Sequence, residues 1–90
     1  MEIVFIRPGR IEDCEKCIPE IKSNKIMLIN LSDVENDKAQ RIINYLSGAM
    51  YMQEGLLKDV AERIFCTIPR GVKHSYLTNE DEEPEITIDR

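Results

Sequence analysis

The sequence predicts a single α/β domain in which two main helices cover one face of a mixed sheet of about five strands. Ninety residues provide apolar material for one hydrophobic core only. Short apolar runs alternate along the chain with segments of helical periodicity, an order that makes the first strands parallel. Several strands are apolar at consecutive positions, so both faces of the sheet are expected to be covered. The predicted architecture is a two-layer sandwich.

The first part of the chain predicts two buried strands and one helix. An apolar, β-branched run at residues 2–7 indicates the first strand. Apolar residues at every third or fourth position predict a helix over residues 11–21. Pro19 lies inside that pattern and removes one backbone hydrogen bond, so this helix is expected to be kinked or to break early. Residues 25–31 predict the second strand.

The second part of the chain opens with a helix that Asn36 or Asp37 can cap. Gly48 stands where this helix is expected to end, because glycine readily adopts the positive φ of a helix C-terminus. The fourth and fifth strands are expected to form a hairpin. The remaining predicted elements are a third strand at 49–52, a helical segment at 56–62, a fourth strand at 63–68 and a fifth strand at 72–76.

Charge divides the chain into a core domain, residues 1–78, and an acidic tail, residues 79–90, that is expected to be mobile. The tail holds six acids and one arginine, so the rest of the chain balances eleven acids against eleven bases. Within the tail, residues 85–88 could add an edge strand. A neutral core with an acidic tail argues against non-specific nucleic-acid binding, which requires clustered Lys and Arg.

Composition indicates a cytoplasmic protein. No run approaches the roughly 20 apolar residues of a membrane span. No signal peptide precedes the first strand. The three cysteines are an odd number, which fits a reducing compartment better than a disulfide framework.

The alternation of side chains along the strands predicts a dimer. Ile3 and Phe5 face one side of the first strand, whereas Val4 and Ile6 face the other. Two helices can cover only one face, and each aliphatic side chain left in water costs about 1.5–3 kcal/mol relative to burial. A second subunit stacked on the uncovered face by two-fold symmetry resolves this mismatch. The alternative is a doubly wound arrangement with helices on both faces.

Four sequence blocks occur in a familiar order. They are residues 29–31 (INL), 37–48 (DKAQRIINYLSG), 49–52 (AMYM) with Gly55, and 64–69 (IFCTIP). Together with Arg7-Pro8 they resemble the SepF family of bacterial cell division proteins across residues 2–76. The resemblance implies a homodimeric adaptor without cofactor that ties FtsZ filaments to the membrane at the division site. In that family the C-terminal peptide of FtsZ docks near the second helix, and many members polymerise further.

The second helix carries the expected binding residues. Its outer positions form a polar and aromatic strip that, taken alone, is equally typical of a solvated helix face. Tyr and Arg are enriched at binding hot spots, and the family resemblance favours a peptide groove. Lys38 and Arg41 are expected to meet acidic peptide residues, while Ile42 and Tyr45 are expected to line an apolar floor. Gly48 also resembles the family glycine near a subunit contact, where a missing side chain permits close approach.

Two features depart from the family pattern. Its members carry an amphipathic N-terminal helix that inserts into lipid, and no such segment precedes Glu2. Membrane contact is therefore expected only through a helix absent from this chain. Pro19 is the second departure, because the corresponding family helix is uninterrupted.

Other functions remain open at this point. Cys14 and Cys17 form a C-x-x-C motif that could be a redox pair or, with Cys66 and His74, a zinc site. The motif is also typical of two structural helix cysteines. A regulatory domain that binds a small molecule on the same fold is a further possibility. An enzyme is not expected, because no nucleophile–base order, phosphate-binding glycine loop or paired-carboxylate motif is present.

Overall fold

One mixed sheet organises the protein, whose computed structural model describes residues 1–77. In that range the sheet has four strands in the order β1-β2-β4-β3, with β1 and β2 parallel and the other neighbours antiparallel. The elements in chain order are β1 (Ile3–Ile6), a 3-10 segment (Ile11–Lys16), α1 (Cys17–Lys22), β2 (Ile26–Asn30), α2 (Asn36–Met52), β3 (Leu56–Ala61) and β4 (Ile64–Ile68).

The first helical region changes its winding two residues before Pro19, and the helix runs through Pro19 without the early break that the sequence suggested. It runs as a 3-10 helix up to Lys16 and as the α-helix α1 from Cys17. Pro19 therefore falls in the first turn of α1. Backbone N–H groups in the first turn have no carbonyl partner within the helix, so a proline is tolerated there. The strands predicted at 2–7, 25–31 and 63–68 are all present, each slightly shorter at its ends.

The strand predicted at 49–52 is wrong, because α2 continues through Gly48 to Met52. Gly48 thus lies inside the helix and does not end it. The helix closes two residues later, where Glu54 takes a left-handed φ of 63°. The Glu54 N–H donates to the carbonyl of Tyr51 at 3.0 Å and the Gly55 N–H to that of Met50 at 2.8 Å, the pair of bonds that satisfies the last carbonyls of a helix.

The helical segment predicted at 56–62 is also wrong, since residues 56–61 form β3 and pair with β4 in a hairpin. Arg63 in the tight turn adopts a left-handed φ of 65°. Its guanidinium donates to the side-chain oxygen of Asn36 at 2.7 Å and to the carbonyl of Val34. These bonds tie the hairpin turn to the start of α2.

A fifth strand at 72–76, paired with β4, is wrong for a topological reason. β4 lies between β2 and β3, so neither of its edges is free. Residues 72–77 instead form an irregular segment, which we call the C-terminal strap. The acidic tail at 79–90, with the strand suggested at 85–88, falls outside the described residues.

All helical segments of residues 1–77 lie on one face of the sheet, which we call the helix face. They share one core with inward side chains of the strands, so the doubly wound alternative is wrong for this part of the chain. The buried core residues are Cys14, Cys17, Ile21, Met27, Ile29, Leu31, Val34, Ala39, Ile42, Leu46, Met50, Leu57 and Phe65.

The opposite side of the sheet, the open face, is covered only in part. One row of paired residues crosses it from Phe5 through Leu28 and Cys66 to Lys58. Phe5 is 73% exposed, whereas Lys58 is 4% exposed. The C-terminal strap produces this gradient, because the Lys58 Nζ lies 3.1 Å from Nδ1 of His74 and 5.4 Å from the ring centre of Tyr76.

Two glycines provide a matched test of the fold. At Gly55 an added Cβ would lie 2.5 Å from the carbonyl oxygen of Ile68, so Gly55→Ala is expected to destabilise the protein by about 1–3 kcal/mol. At Gly48 an added Cβ meets nothing within 4 Å, so Gly48→Ala is expected to stabilise α2 by about 0.5–1 kcal/mol. Urea unfolding of both variants measures the difference. A destabilised Gly48→Ala, measured at a concentration at which the chain is monomeric, would contradict a helix that runs through this position.

Candidate functional site

One flank of α2 brings together most of the residues predicted to bind a peptide. Lys38, Arg41 and Tyr45 are spaced three and four residues apart, which places them one above the other on the helix surface. Lys38 and Arg41 are exposed, and Tyr45 is 44% exposed. Gly48 continues the same flank and leaves open space beside the helix. This line of residues is called the α2 flank below.

Ile42, the fourth predicted binding residue, lies elsewhere. Its side chain is 1% exposed and belongs to the core between α2 and the sheet. The same stripe of α2 carries Ala39, Leu46 and Met50, which are also buried. Ile42 therefore has almost no surface for a ligand and holds the α2 flank in place from beneath.

A pocket of about 300 Å³ lies beside the α2 flank, between the start of α2 and the 3-10 segment. Lys38 and Arg41 line one side, and Arg10, Ile11 and Glu12 line the other. We call this the basic pocket. Arg10 and Ile11 were not predicted as site residues, because their position next to α2 depends on the packing of the 3-10 segment. The only hint in the sequence was a basic residue next to an apolar one in the loop after β1.

The charges of the basic pocket favour a negatively charged ligand. Three cations face one carboxylate, that of Glu12. Arg10 has a distant partner, with 3.9 Å between its Nε and Oδ1 of Asp13. Lys38 and Arg41 form no ion pair with any carboxylate of residues 1–77. A carboxylate entering this pocket would therefore meet guanidinium and ammonium groups that are not engaged by the described part of the chain.

Asp13 stays ionised beside the pocket. Its Oδ2 accepts the backbone N–H of Gly9 at 2.9 Å, and this bond, with the nearby cations Lys16 and Arg10, keeps the pKa of the Asp13 carboxyl below its usual value. The bond also holds the loop that leads from β1 to Arg10. Asp13 thus positions this side of the pocket, and its negative charge offsets part of that of Arg10.

A second pocket, also of about 300 Å³, lies on the open face and is apolar. Phe5, Leu28 and Ile64 line it together with Ile6, Arg7 and Asn30. At its rim the Arg7 Nε donates to Oδ2 of Asp33 at 2.9 Å. The pocket lies on the β1–β2–β4 part of the sheet, where the exposed Phe5 marks the end not covered by the strap.

The three cysteines are separated by the sheet. Cys14 and Cys17 are buried in the core on the helix face, while Cys66 lies in the Phe5–Lys58 row of the open face. Burial raises the pKa of the Cys14 thiol to about 11 and that of the Cys17 thiol to about 12. A redox or zinc site that combines these two thiols with Cys66 and His74 does not fit this placement. Residues 1–77 contain no cluster of three potential metal ligands.

Within residues 1–77, no helix combines the length and the apolar character needed to cross a bilayer.

The family model and the similar proteins point to the same family. The model of the family described as Cell division protein SepF matches residues 3–73. Proteins named Cell division protein SepF are similar to this chain: that of Alkaliphilus metalliredigens is 32% identical over 72 residues, and that of Finegoldia magna is 35% identical over 73 residues. These alignments cover 80% and 81% of this chain, and 49% and 45% of the relatives. The chain thus spans about half the length of the relatives it matches.

The buried thiols give a test of the core. Iodoacetamide at pH 7.5 is expected to alkylate Cys14 and Cys17 at least about 100-fold more slowly in the native protein than in urea, because reaction must wait for local opening. Mass spectrometry of peptides measures each site, and half-buried Cys66 serves as the internal comparison. Equal native rates at Cys14 and Cys66 would contradict this packing.

The same thiols predict how stability depends on pH. Since burial raises their pKa values above those of the unfolded chain, the stability they contribute is complete below about pH 8.5. It is expected to fall as the pH rises from there towards 11–12, because only the unfolded chain ionises easily in that range. Urea unfolding at pH 7.5 and pH 10 measures the loss, and Cys14→Ala/Cys17→Ala should flatten it.

Proposed function

Because the chain belongs to the SepF family of cell division proteins, we propose that it is a cytoplasmic, non-enzymatic adaptor at the division site that pairs with a second copy and binds the C-terminal tail of FtsZ. SepF is a cell division family and is not a known enzyme family. The observation that carries the proposal is the α2 flank beside a basic pocket. It combines a half-exposed aromatic ring with two cations, Lys38 and Arg41, that pair with no carboxylate of residues 1–77.

Peptide binding at this place follows from the side chains available. An amphipathic peptide needs apolar contact for its anchors and countercharges for its acids. Tyr45 supplies an accessible ring, and Ile11 supplies an apolar wall to the basic pocket. Arg10, Lys38 and Arg41 supply the charges. With Ile42 buried, the apolar contact surface of the proposed site is therefore Tyr45 and Ile11.

Pairing through the open face follows from its uncovered half. Phe5 and Ile3 expose most of their apolar surface there, beside a pocket lined by Leu28 and Ile64. A second copy related by two-fold symmetry would pack the uncovered half of its open face against the uncovered half of this one, and both would be removed from water. The C-terminal strap already covers the β3 side, so the proposed contact is centred on β1 and β2.

Gly48 supports a second place of close approach. A glycine inside a helix lowers its stability by about 0.5–1 kcal/mol relative to alanine. At Gly48 this cost has no local structural reason, because an added Cβ has free space. A partner chain lying directly against this turn of α2 would explain it, and we propose Gly48 as such a subunit contact.

Binding of a fluorescent peptide with the sequence of the FtsZ C-terminus tests the first part of the proposal. Saturable binding is expected. Tyr45→Ala and Arg41→Ala are each expected to weaken it about tenfold, the effect of losing an interface hot spot. Fluorescence anisotropy gives the dissociation constants.

Gln40→Ala is the matched control for this experiment. Gln40 is exposed on another flank of α2, where its amide donates to Oδ1 of Asn44 at 3.1 Å. Its substitution should leave affinity unchanged. An unsaturable titration, or equal losses from Gln40→Ala and Arg41→Ala, would rule out the proposed binding surface.

Sedimentation at micromolar concentration tests pairing through the open face. Phe5→Glu is expected to convert a dimer into a monomer, because it places a charge at the centre of the proposed apolar contact. Tyr51→Glu is the control, since Tyr51 is 70% exposed but lies on α2. A monomeric unmodified protein, or dissociation by Tyr51→Glu alone, would refute this contact.

A further inference from the structure

The basic pocket has a possible occupant in the chain itself. Residues 79–90 (NEDEEPEITIDR) carry six of the 17 acids of the protein and one arginine. Five of these acids fall at positions 80–85, and two isoleucines follow them. The segment thus has the acidic and apolar character that the pocket accepts, because the pocket combines three cations with the apolar side chain of Ile11.

The described chain ends near the hairpin turn between β3 and β4, which contacts the start of α2. The Tyr76 hydroxyl donates to the carbonyl of Val60 at 2.9 Å, which holds the end of the C-terminal strap beside the hairpin turn. From the same turn Arg63 donates to the side chain of Asn36 at 2.7 Å, at the start of α2. Lys38 follows two residues later. The strap therefore ends on the open face, at the same end of the sheet as the start of α2.

The acids begin three residues after the described chain ends. Residues 78–85, which carry five of them, can extend by up to about 26 Å at roughly 3.3 Å per residue. This reach is comparable with the 22 and 27 Å widths of the molecule. β3 is an edge strand, so the route from the strap around this edge to the helix face crosses no other strand.

Several other basic side chains of residues 1–77 are less suited to the acidic segment because they already have partners, while Lys16, Lys22 and Lys73 are not grouped with other cations in a pocket. Lys58 is buried beneath the strap. The remaining pairs are Arg7 with Asp33, Lys25 with Glu2 and Glu20, and Arg70 with Glu54. Lys38 and Arg41 are instead grouped in one pocket with Arg10.

We propose that residues 80–88 of the same chain occupy the basic pocket and compete there with the acidic peptide partner. This inference rests on the proposed function for the identity of the competitor, but not for the contact itself. The segment would act as a built-in substitute for the partner. A pocket filled in this way about four-fifths of the time would raise the apparent dissociation constant of the partner about fivefold.

Zero-length carbodiimide cross-linking of the full chain at low salt tests the contact without any partner. The reagent joins Lys38 to carboxylates that touch it, and mass spectrometry should find Lys38 linked to the peptide containing residues 80–85. Lys22, exposed on α1 outside the pocket, is the internal control. Absence of the Lys38 link, or equal linkage at Lys22, would overturn the proposal. Links between light and heavy chains in an isotopically mixed sample would overturn its intramolecular form.

A variant with a neutral segment completes the test. Glu80→Gln, Asp81→Asn, Glu82→Gln, Glu83→Gln and Glu85→Gln together should abolish the cross-link and shift the amide resonances of Arg10, Lys38 and Arg41. They should also tighten binding of the FtsZ peptide about fivefold at low salt, and less at high salt because charges are screened. Unchanged affinity and resonances would reject the competition alone. No peptide binding by either chain, with the cross-link present, would reject the proposed function and leave the contact standing.

Discussion

A sheet that is apolar on both faces must place both of them against something other than water. In this protein the 3-10 segment, α1 and α2 cover one face, and that burial sets where α2 lies. The other face has only the C-terminal strap, which covers Lys58 at one side and leaves Phe5 exposed at the other. The unequal covering separates two surfaces with different chemistry. An apolar one is centred on β1 and β2, and a charged one lies beside α2 on the opposite side of the sheet.

Strands with strong local patterns could be predicted from the sequence, and elements that depend on context could not. β1, β2 and β4 are continuous apolar runs, whose period and length are unambiguous. Residues 49–52 are equally apolar, but Met50 continues the buried stripe of α2. Packing of this stripe against the core therefore favours a helix over a strand at these residues. β3 could not be identified locally, since its pairing with β4 is what defines it. The C-terminal strap could not form a strand beside β4, because β2 and β3 already pair with the two edges of β4.

The residues of the candidate site also divide into those that the sequence pattern could place and those that only the fold brings together. Lys38, Arg41 and Tyr45 could be placed on one flank by helical spacing alone. Ile42 shares the apolar stripe of α2 with Ala39 and Leu46, so the helical pattern itself favours its burial, and its assignment to the floor of a groove conflicts with that pattern. Arg10 and Ile11 are distant in sequence from α2, and only the packed 3-10 segment brings them to it. A periodic pattern in the sequence does not show which residues from distant parts of the chain come close together in the fold.

Arg63 shows how a scaffold residue can imitate a recognition residue. Its guanidinium joins the hairpin turn to the first residues of α2, and its backbone carbonyl accepts the N–H of Leu31 at 2.8 Å. If the proposed function holds, a genetic screen scored by cell division would recover substitutions at Arg63 together with the proposed contact residues, since the start of α2 carries Lys38. Thermal denaturation would separate the two groups, because a contact residue can be lost while the melting temperature is kept.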